Sequence, residues 1–261
     1  MNFDLKNKNA IVCGATQGIG LGIAKELSRQ GVNLILIARN KKKLDATIKI
    51  LSFPKKHSSI CVDFSVPNNL DVALGRYFKK QKKNIHILIN NTGGPPPGLI
   101  EKSRPIDFSN AFNMHVLCNQ ILTQHVVSGM KKEKYGRIIN IISTSVKVPI
   151  SGLGVSNTIR GAVASWAKTM ANELGGYQIT VNNILPGYTN TQRLSSLFQK
   201  MAKNQKTSIQ KIEESIIKTI PAKRLGLVSD IAYTAAFLAS PKASYINGIN
   251  VPVDGGRVGC L

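Results

Sequence analysis

Short, nearly continuous apolar runs alternate along this chain with longer stretches in which apolar residues recur every three or four positions. The runs Ala10–Cys13, Asn33–Ala38, Ser59–Val62, Ile85–Asn90, Arg137–Ile142, Thr180–Leu185 and Ile249–Pro252 read as strands, mostly of the kind buried on both faces. Between them, Gly20–Gln30, Lys41–Ser52, Asn68–Gln81, Phe108–Lys132, Val155–Gly175 and Val228–Ser240 carry helical periodicity. Regular β–α alternation with right-handed crossovers predicts an α/β, doubly wound parallel sheet of seven strands, with helices on both faces. With no long linker, repeat or low-complexity stretch, residues 1–261 read as a single domain.

Two stretches break the rhythm. Gly93–Gly98 holds three prolines and can be neither helix nor central strand. Residues 188–220 are polar and lysine-rich, with helical pieces at Thr191–Lys203 and Ile209–Lys218. Both follow strands on the side where such sheets bind ligands, so both are expected to wall a pocket. The second reads as a substrate lid, or else as an ordinary surface insertion.

The first strand runs into Gly14-Ala15-Thr16-Gln17-Gly18-Ile19-Gly20, and a helix follows. A glycine-rich turn between strand and helix aims free backbone N–H groups, at the positive end of a helix, toward a bound anion. This Gly-x3-Gly-x-Gly spacing predicts a dinucleotide site of the Rossmann type, with the pyrophosphate on the turn.

Composition narrows the partners. Lys and Arg outnumber Asp and Glu by 35 to 13, giving a net charge of +22. Such an excess suits an acidic partner such as nucleic acid, an acidic carrier protein or a phosphorylated ligand. The lysines are spread over helix ends and loops, without interleaved aromatics or a recognition motif, so a solvated basic surface is the reading adopted and nucleic acid is not expected. No apolar stretch is long enough for a membrane helix, and the polar start of the chain shows no signal peptide. Of the four cysteines, three lie in or beside apolar segments and none forms Cys-x-x-Cys. Buried free thiols in a reducing cytoplasm are expected, and no metal site.

Five motifs in order carry a resemblance over nearly the whole chain. They are the loop Cys13–Gly20, Asp63 after the third strand, Asn90-Asn91-Thr92-Gly93, Pro186-Gly187-Tyr188-Thr189-Asn190-Thr191 and Val253-Asp254-Gly255-Gly256. Together they resemble the short-chain dehydrogenase/reductase family. The resemblance implies that Gly14, Thr16, Gln17, Gly18, Ile19, Gly20, Asn90, Thr92 and Gly93 border a nicotinamide dinucleotide. It implies further that Asp63 contacts the adenine, and that Pro186, Gly187, Thr189 and Thr191 hold the nicotinamide end. Relatives usually form homotetramers or homodimers through their long helices. At the end of the second strand, where NAD enzymes place a carboxylate, this chain has Ala38 and then Arg39. A guanidinium there grips a 2′-phosphate, so the expected cofactor is NADP(H).

The catalytic positions depart from the family. Ser143 stands where the family has its serine. Where the family's tyrosine and lysine are expected, this chain has Ser156 and Arg160. The family's asparagine aligns with His115, with Asn113 two residues away. A serine hydroxyl is far less acidic than a tyrosine, and arginine does not give up its proton. Arg160 can still hold the nicotinamide ribose, one helical turn from Ser156. Three readings remain open at this stage. The chain is an NADPH reductase with another proton source, His115 being the candidate; or it binds NADP(H) without turnover, as a sensor or scaffold; or it runs different chemistry in the same pocket. Ser156-Asn157-x-x-Arg160 and the Asn91–Gly98 run resemble a divergent branch labelled 3-oxoacyl-acyl-carrier-protein reductases. That implies an acyl-thioester or other small ketone substrate.

Overall fold

A computed structural model describes residues 3–260, so the ends of the 1–261 range read as one domain, residues 1, 2 and 261, lie outside the described residues. Seven strands form one sheet: β1 (Asn9–Cys13), β2 (Asn33–Ala38), β3 (Ser58–Cys61), β4 (Ile87–Asn90), β5 (Gly136–Ile141), β6 (Ile179–Pro186) and β7 (Asn250–Val253). All neighbours are parallel, in the order β3-β2-β1-β4-β5-β6-β7. The order reverses between β1 and β4, and their carboxyl ends open the crevice where such sheets take ligands.

The helices are α1 (Gly18–Arg29), α2 (Lys41–Lys49), α3 (Pro67–Lys80), α4 (Pro105–Phe112), α5 (Cys118–Glu133), α6 (Gly154–Leu174), α7 (Gln192–Asn204), α8 (Ile209–Lys218) and α9 (Val228–Ala239). They cover both faces because strand side chains alternate. Val12, Ile87 and Ile139 meet Ile23 and Leu27 of α1 and Ala235 of α9 on one face. Their neighbours Ile11, Leu88 and Ile138 meet Leu74 of α3, Leu122 of α5 and Ala167 of α6 on the other. The apolar edge Val155, Ile159, Val163 and Ala167 of α6 is therefore core within one chain. α7 and α8 pack their own small cluster of Leu194, Phe198, Ile212, Ile216 and Ile220 against Tyr188 and Leu225.

Three differences from the sequence reading stand out. The helix expected over Phe108–Lys132 is three pieces: α4, a π-helical turn over Asn113–Leu117, and α5. Periodicity cannot register one extra residue in a turn, and such turns gather at functional sites. Cys13 and Cys118 are buried thiols, and burial pushes Cys118 up to about 12. Cys61 instead ends the sheet's edge strand and is exposed, so the expectation of burial fails there. Lastly, an asparagine ladder crosses four strands. Asn90 Nδ2 donates to Asn140 Oδ1, Asn140 Nδ2 to Asn183 Oδ1, and Asn183 Nδ2 to Asn250 Oδ1, each at 2.8 Å. These residues are register partners, which is why the amides meet. At the ladder's end, buried Asn90 Oδ1 is left without a partner, beside the crevice.

No helix among the described residues is long and apolar enough to cross a membrane.

Candidate active site

The glycine turn closes against the end of β4. Gly14 has φ +60°, a left-handed backbone that disfavours any side chain, and its N–H donates to Ile37 O at 2.8 Å. Asn91 reaches over from β4, donating Nδ2 to Cys13 O at 3.1 Å. A Cβ on Gly20 would lie 2.2 Å from Gly14 O, so the turn tolerates only glycine there. Helix α1 starts at Gly18 with Gln17 as its N-cap, no side-chain cap and no acidic residue in its first turn. Its end is thus open and electropositive, a fit for a phosphate. Thr16 and Ile19 flank the turn half-buried, and Gln17 is exposed.

Other predicted contacts stand on the loops after β6, β2 and β3. A Cβ on Gly18 would touch Thr191 Cγ2 at 3.4 Å, so the loop after β6 meets the loop after β1. Thr191 caps α7, its hydroxyl accepting from Leu194 N. Pro186 ends β6, Gly187 follows it, and Thr189 is buried with its hydroxyl donating to Gly187 O at 3.3 Å. Arg39 is exposed just past β2, and Asn40 caps α2 by accepting from Lys43 N at 3.0 Å. Asp63 is exposed, and its Oδ1 accepts from Ser65 N at 3.0 Å.

Deeper in, Asn90, Thr92, His115, Asn119 and Arg160 line one small cavity. Arg160 is buried in α6 and donates Nη1 to Ile141 O at 2.8 Å. Burial, and then the charge of Arg193, lower its pKa to about 10, which leaves it cationic at neutral pH. His115 sits in the π-helical turn, 2% exposed, with Nε2 unpartnered. Burial first, then Arg160 and Arg193, drive its pKa down to about 2, against a hydrogen bond with the Gly93 backbone. A ring so placed is neutral at pH 7 and has no imidazolium proton to donate. The residue expected as proton source is thus an uncharged imidazole with one unpartnered ring nitrogen on the cavity wall. Ser156 is buried one turn before Arg160. Ser143 is half-buried after β5, its hydroxyl accepting from Ser145 N at 3.1 Å. Neither serine lines the small cavity.

Sequence reasoning missed Arg193. Its signal was a cationic side chain two residues after the Pro-Gly turn's last threonine, in a stretch already rich in cations. The ladder was missed too, although an asparagine stands in each of β4, β5, β6 and β7.

A family profile described as Enoyl-(Acyl carrier protein) reductase matches residues 14–257. The chain is 30% identical to the NADPH-dependent reductase BacG of Bacillus subtilis, over 97% of this chain and 99% of that protein. It is also 30% identical to the 3-oxoacyl-[acyl-carrier-protein] reductase FabG of Rickettsia conorii, over 98% and 99%. The crystal structure of L-sorbose reductase from Gluconobacter frateurii, complexed with NADPH and L-sorbose, superposes with a TM-score of 0.93 at 26% identity, covering all of both chains.

Proposed function

Because the chain belongs to the short-chain dehydrogenase/reductase family, we propose that it is an NADP(H)-dependent reductase of a ketone or 3-oxoacyl thioester that works without a tyrosine acid. The observation that carries this reading is the open end of α1 beside a second-strand terminus that bears Arg39 and no carboxylate. BacG and the sorbose reductase, both named with NADPH, support the same cofactor.

When bound, the nicotinamide supplies the hydride. The turn Gly14–Gly20 seats the pyrophosphate on backbone N–H groups. Arg39 and the N-terminus of α2 take the 2′-phosphate, Asp63 borders the adenine, and Thr189 and Thr191 hold the nicotinamide end. Arg160 would hold the nicotinamide ribose. Ser143 and Ser156 donate hydrogen bonds to the substrate oxygen, and the Arg160 cation favours the negative charge that gathers there. His115 is a neutral hydrogen-bonding wall. The proton reaches the product oxygen through the serine hydroxyls from solvent, after charge has developed. Residues 188–220, carrying α7 and α8, close over the substrate as a lid.

The test is a fluorescence titration with NADPH beside a rapid-mixing screen of NADPH oxidation against ketones and 3-oxoacyl thioesters. Tight binding with no oxidation by any of them overturns the reductase reading. Two further outcomes are expected. Arg39→Glu weakens NADPH by about 10- to 100-fold, since a charge-assisted bond contributes roughly 1.5–3 kcal/mol, and leaves NADH nearly unchanged. Equal losses for both cofactors would place the 2′-phosphate elsewhere. In addition, kcat/KM shows no imidazole inflexion between about pH 5 and 8, because His115 stays neutral throughout. An inflexion near 6.5 that disappears in His115→Asn would return the histidine to the role of acid.

A further inference from the structure

We propose that Asn90 and His115 form a binding site for a single water molecule, and that this water makes His115 a positioning residue for the Gly93 edge of the crevice. The water site stands on the fold alone, whereas its effect on the cofactor rests on the reductase reading.

Two acceptors face one small space. Asn90 is 3% exposed, and its Oδ1 has no partner. The equally buried His115 leaves Nε2 without one. Both residues line the same cavity, which has room for about one water molecule. The other ring nitrogen fixes the tautomer. The imidazole bonds the Gly93 backbone with Nε2 left out, so Nδ1–H donates to Gly93 O and Nε2 carries a bare lone pair. The ladder orients the amide in a similar way. Asn90 Nδ2 is spent on Asn140 Oδ1, and Oδ1 is the end left for the cavity. Each step of the ladder donates toward β7, so its dipoles put their negative end at Asn90 Oδ1 and strengthen it as an acceptor. The reverse orientation would turn an NH2 group toward a wall that already holds the Arg160 cation.

Two acceptors cannot bond each other, and leaving both unmade is costly. Water brings two donors in the smallest volume. An ammonium ion brings donors too, but the charge of Arg160 on the same wall repels a second cation. With both protons spent on Asn90 and His115, the water turns its lone pairs to the donors that remain, the Thr92 hydroxyl and an N–H of Arg160. Arginine has five N–H groups and only one is given to Ile141 O, so others are left for the ribose. The water moves no proton in the reaction. It holds the tautomer in which His115 grips Gly93 O. That grip matters because Gly93 lies outside any helix or strand, and a Cβ on it would meet nothing within 4 Å. Bonds rather than packing hold this peptide beside the nicotinamide end. The π-helical turn over Asn113–Leu117 brings the ring to it.

The test uses the full chain. A high-resolution crystal structure and 15N spectra of the imidazoles come first. The expected result is one ordered water within about 3.2 Å of both Asn90 Oδ1 and His115 Nε2. The His115 ring should be protonated on Nδ1 alone from about pH 6 to 8. A dry cavity, or a ring protonated on Nε2, overturns the site. NADPH titrations of His115→Phe, His115→Asn and Val163→Ile then test the positioning role, with thermal melts to check folding. Phenylalanine has neither donor nor acceptor and should weaken NADPH by about 10-fold. Asparagine should restore affinity to within about threefold of wild type, since one amide can donate to Gly93 O and accept from the water. Val163 is buried on the cavity's apolar wall. Val163→Ile adds a methylene there, expels the water without touching either polar group, and weakens NADPH in the same direction even if His115→Phe fails to fold. Unchanged NADPH affinity in a folded His115→Phe or in Val163→Ile overturns the positioning role. So does a His115→Asn protein that binds NADPH no better than His115→Phe. If wild type holds the water yet binds no NADPH, the reductase reading fails and the water site stands.

Discussion

Gly20→Ala abolishes NADPH binding, lowering affinity by more than about 100-fold. The new Cβ would lie 2.2 Å from Gly14 O, 2.8 Å from Gly14 C and 2.7 Å from Asn91 Nδ2. Two of these three are backbone atoms, and they cannot step aside. Gly14 N is held to Ile37 O in β2, and Asn91 ties the end of β4 to Cys13 O. The turn must therefore open, and the N–H groups at the start of α1 then lose their common focus. Overpacking of this kind costs about 1–3 kcal/mol, before the lost phosphate contacts are added. Their sum reaches the roughly 2.8 kcal/mol that a 100-fold loss requires. Gly75→Ala is the control. It lies inside α3 with nothing within 4 Å of its Cβ, and alanine there should stabilise by about 0.5–1 kcal/mol without touching affinity. NADPH affinity retained by Gly20→Ala would remove the turn from the cofactor site.

The sheet was legible because a parallel strand buried on both faces is written mostly in apolar residues, and several of the turns between carry glycine or proline. The expected pieces Thr191–Lys203 and Ile209–Lys218 return nearly intact as α7 and α8, since amphipathic helices over their own small core have strict periodicity. What was not legible depends on partners distant in sequence. Nothing near Arg193 says that its head turns toward Gly94 and Arg160. The imidazole of His115 looked like an acid until burial and two nearby cations were placed around it. Asn140 and Asn183 look like polar interruptions of good strands until register sets them side by side, where each satisfies the next. The extra residue of the π turn is invisible to a period of 3.6, yet it sets His115 on the cavity wall.

Arg160→Met is expected to stabilise the ligand-free protein while it reduces NADPH oxidation by about 100- to 1,000-fold, the usual cost of losing one preorganised oxyanion or charge contact. Methionine fills much the same volume and brings no charge. Replacing buried ionic groups with apolar ones of similar size is often stabilising by about 1–4 kcal/mol. Against this stands one lost bond to Ile141 O, worth about 1–3 kcal/mol if the carbonyl finds no other donor. The charge term wins because no carboxylate offsets it, and Arg193 adds repulsion. The pH dependence fixes the sign. The folded-state pKa of Arg160 is lowered from 12.5 to about 10, so folding disfavours its charged form. Below pH 10 the wild type carries the full penalty. Arginine keeps its proton across the working range, so both the penalty and the advantage of methionine persist from about pH 6 to 9. Thermal melts of both proteins at pH 7, with and without NADPH, read the effect. If Arg160→Met instead melts several degrees lower at pH 7, the guanidinium is a structural prop for β5. A cation that weakens the empty fold and steadies the filled one is in the protein for its ligand, and the melts measure that difference directly.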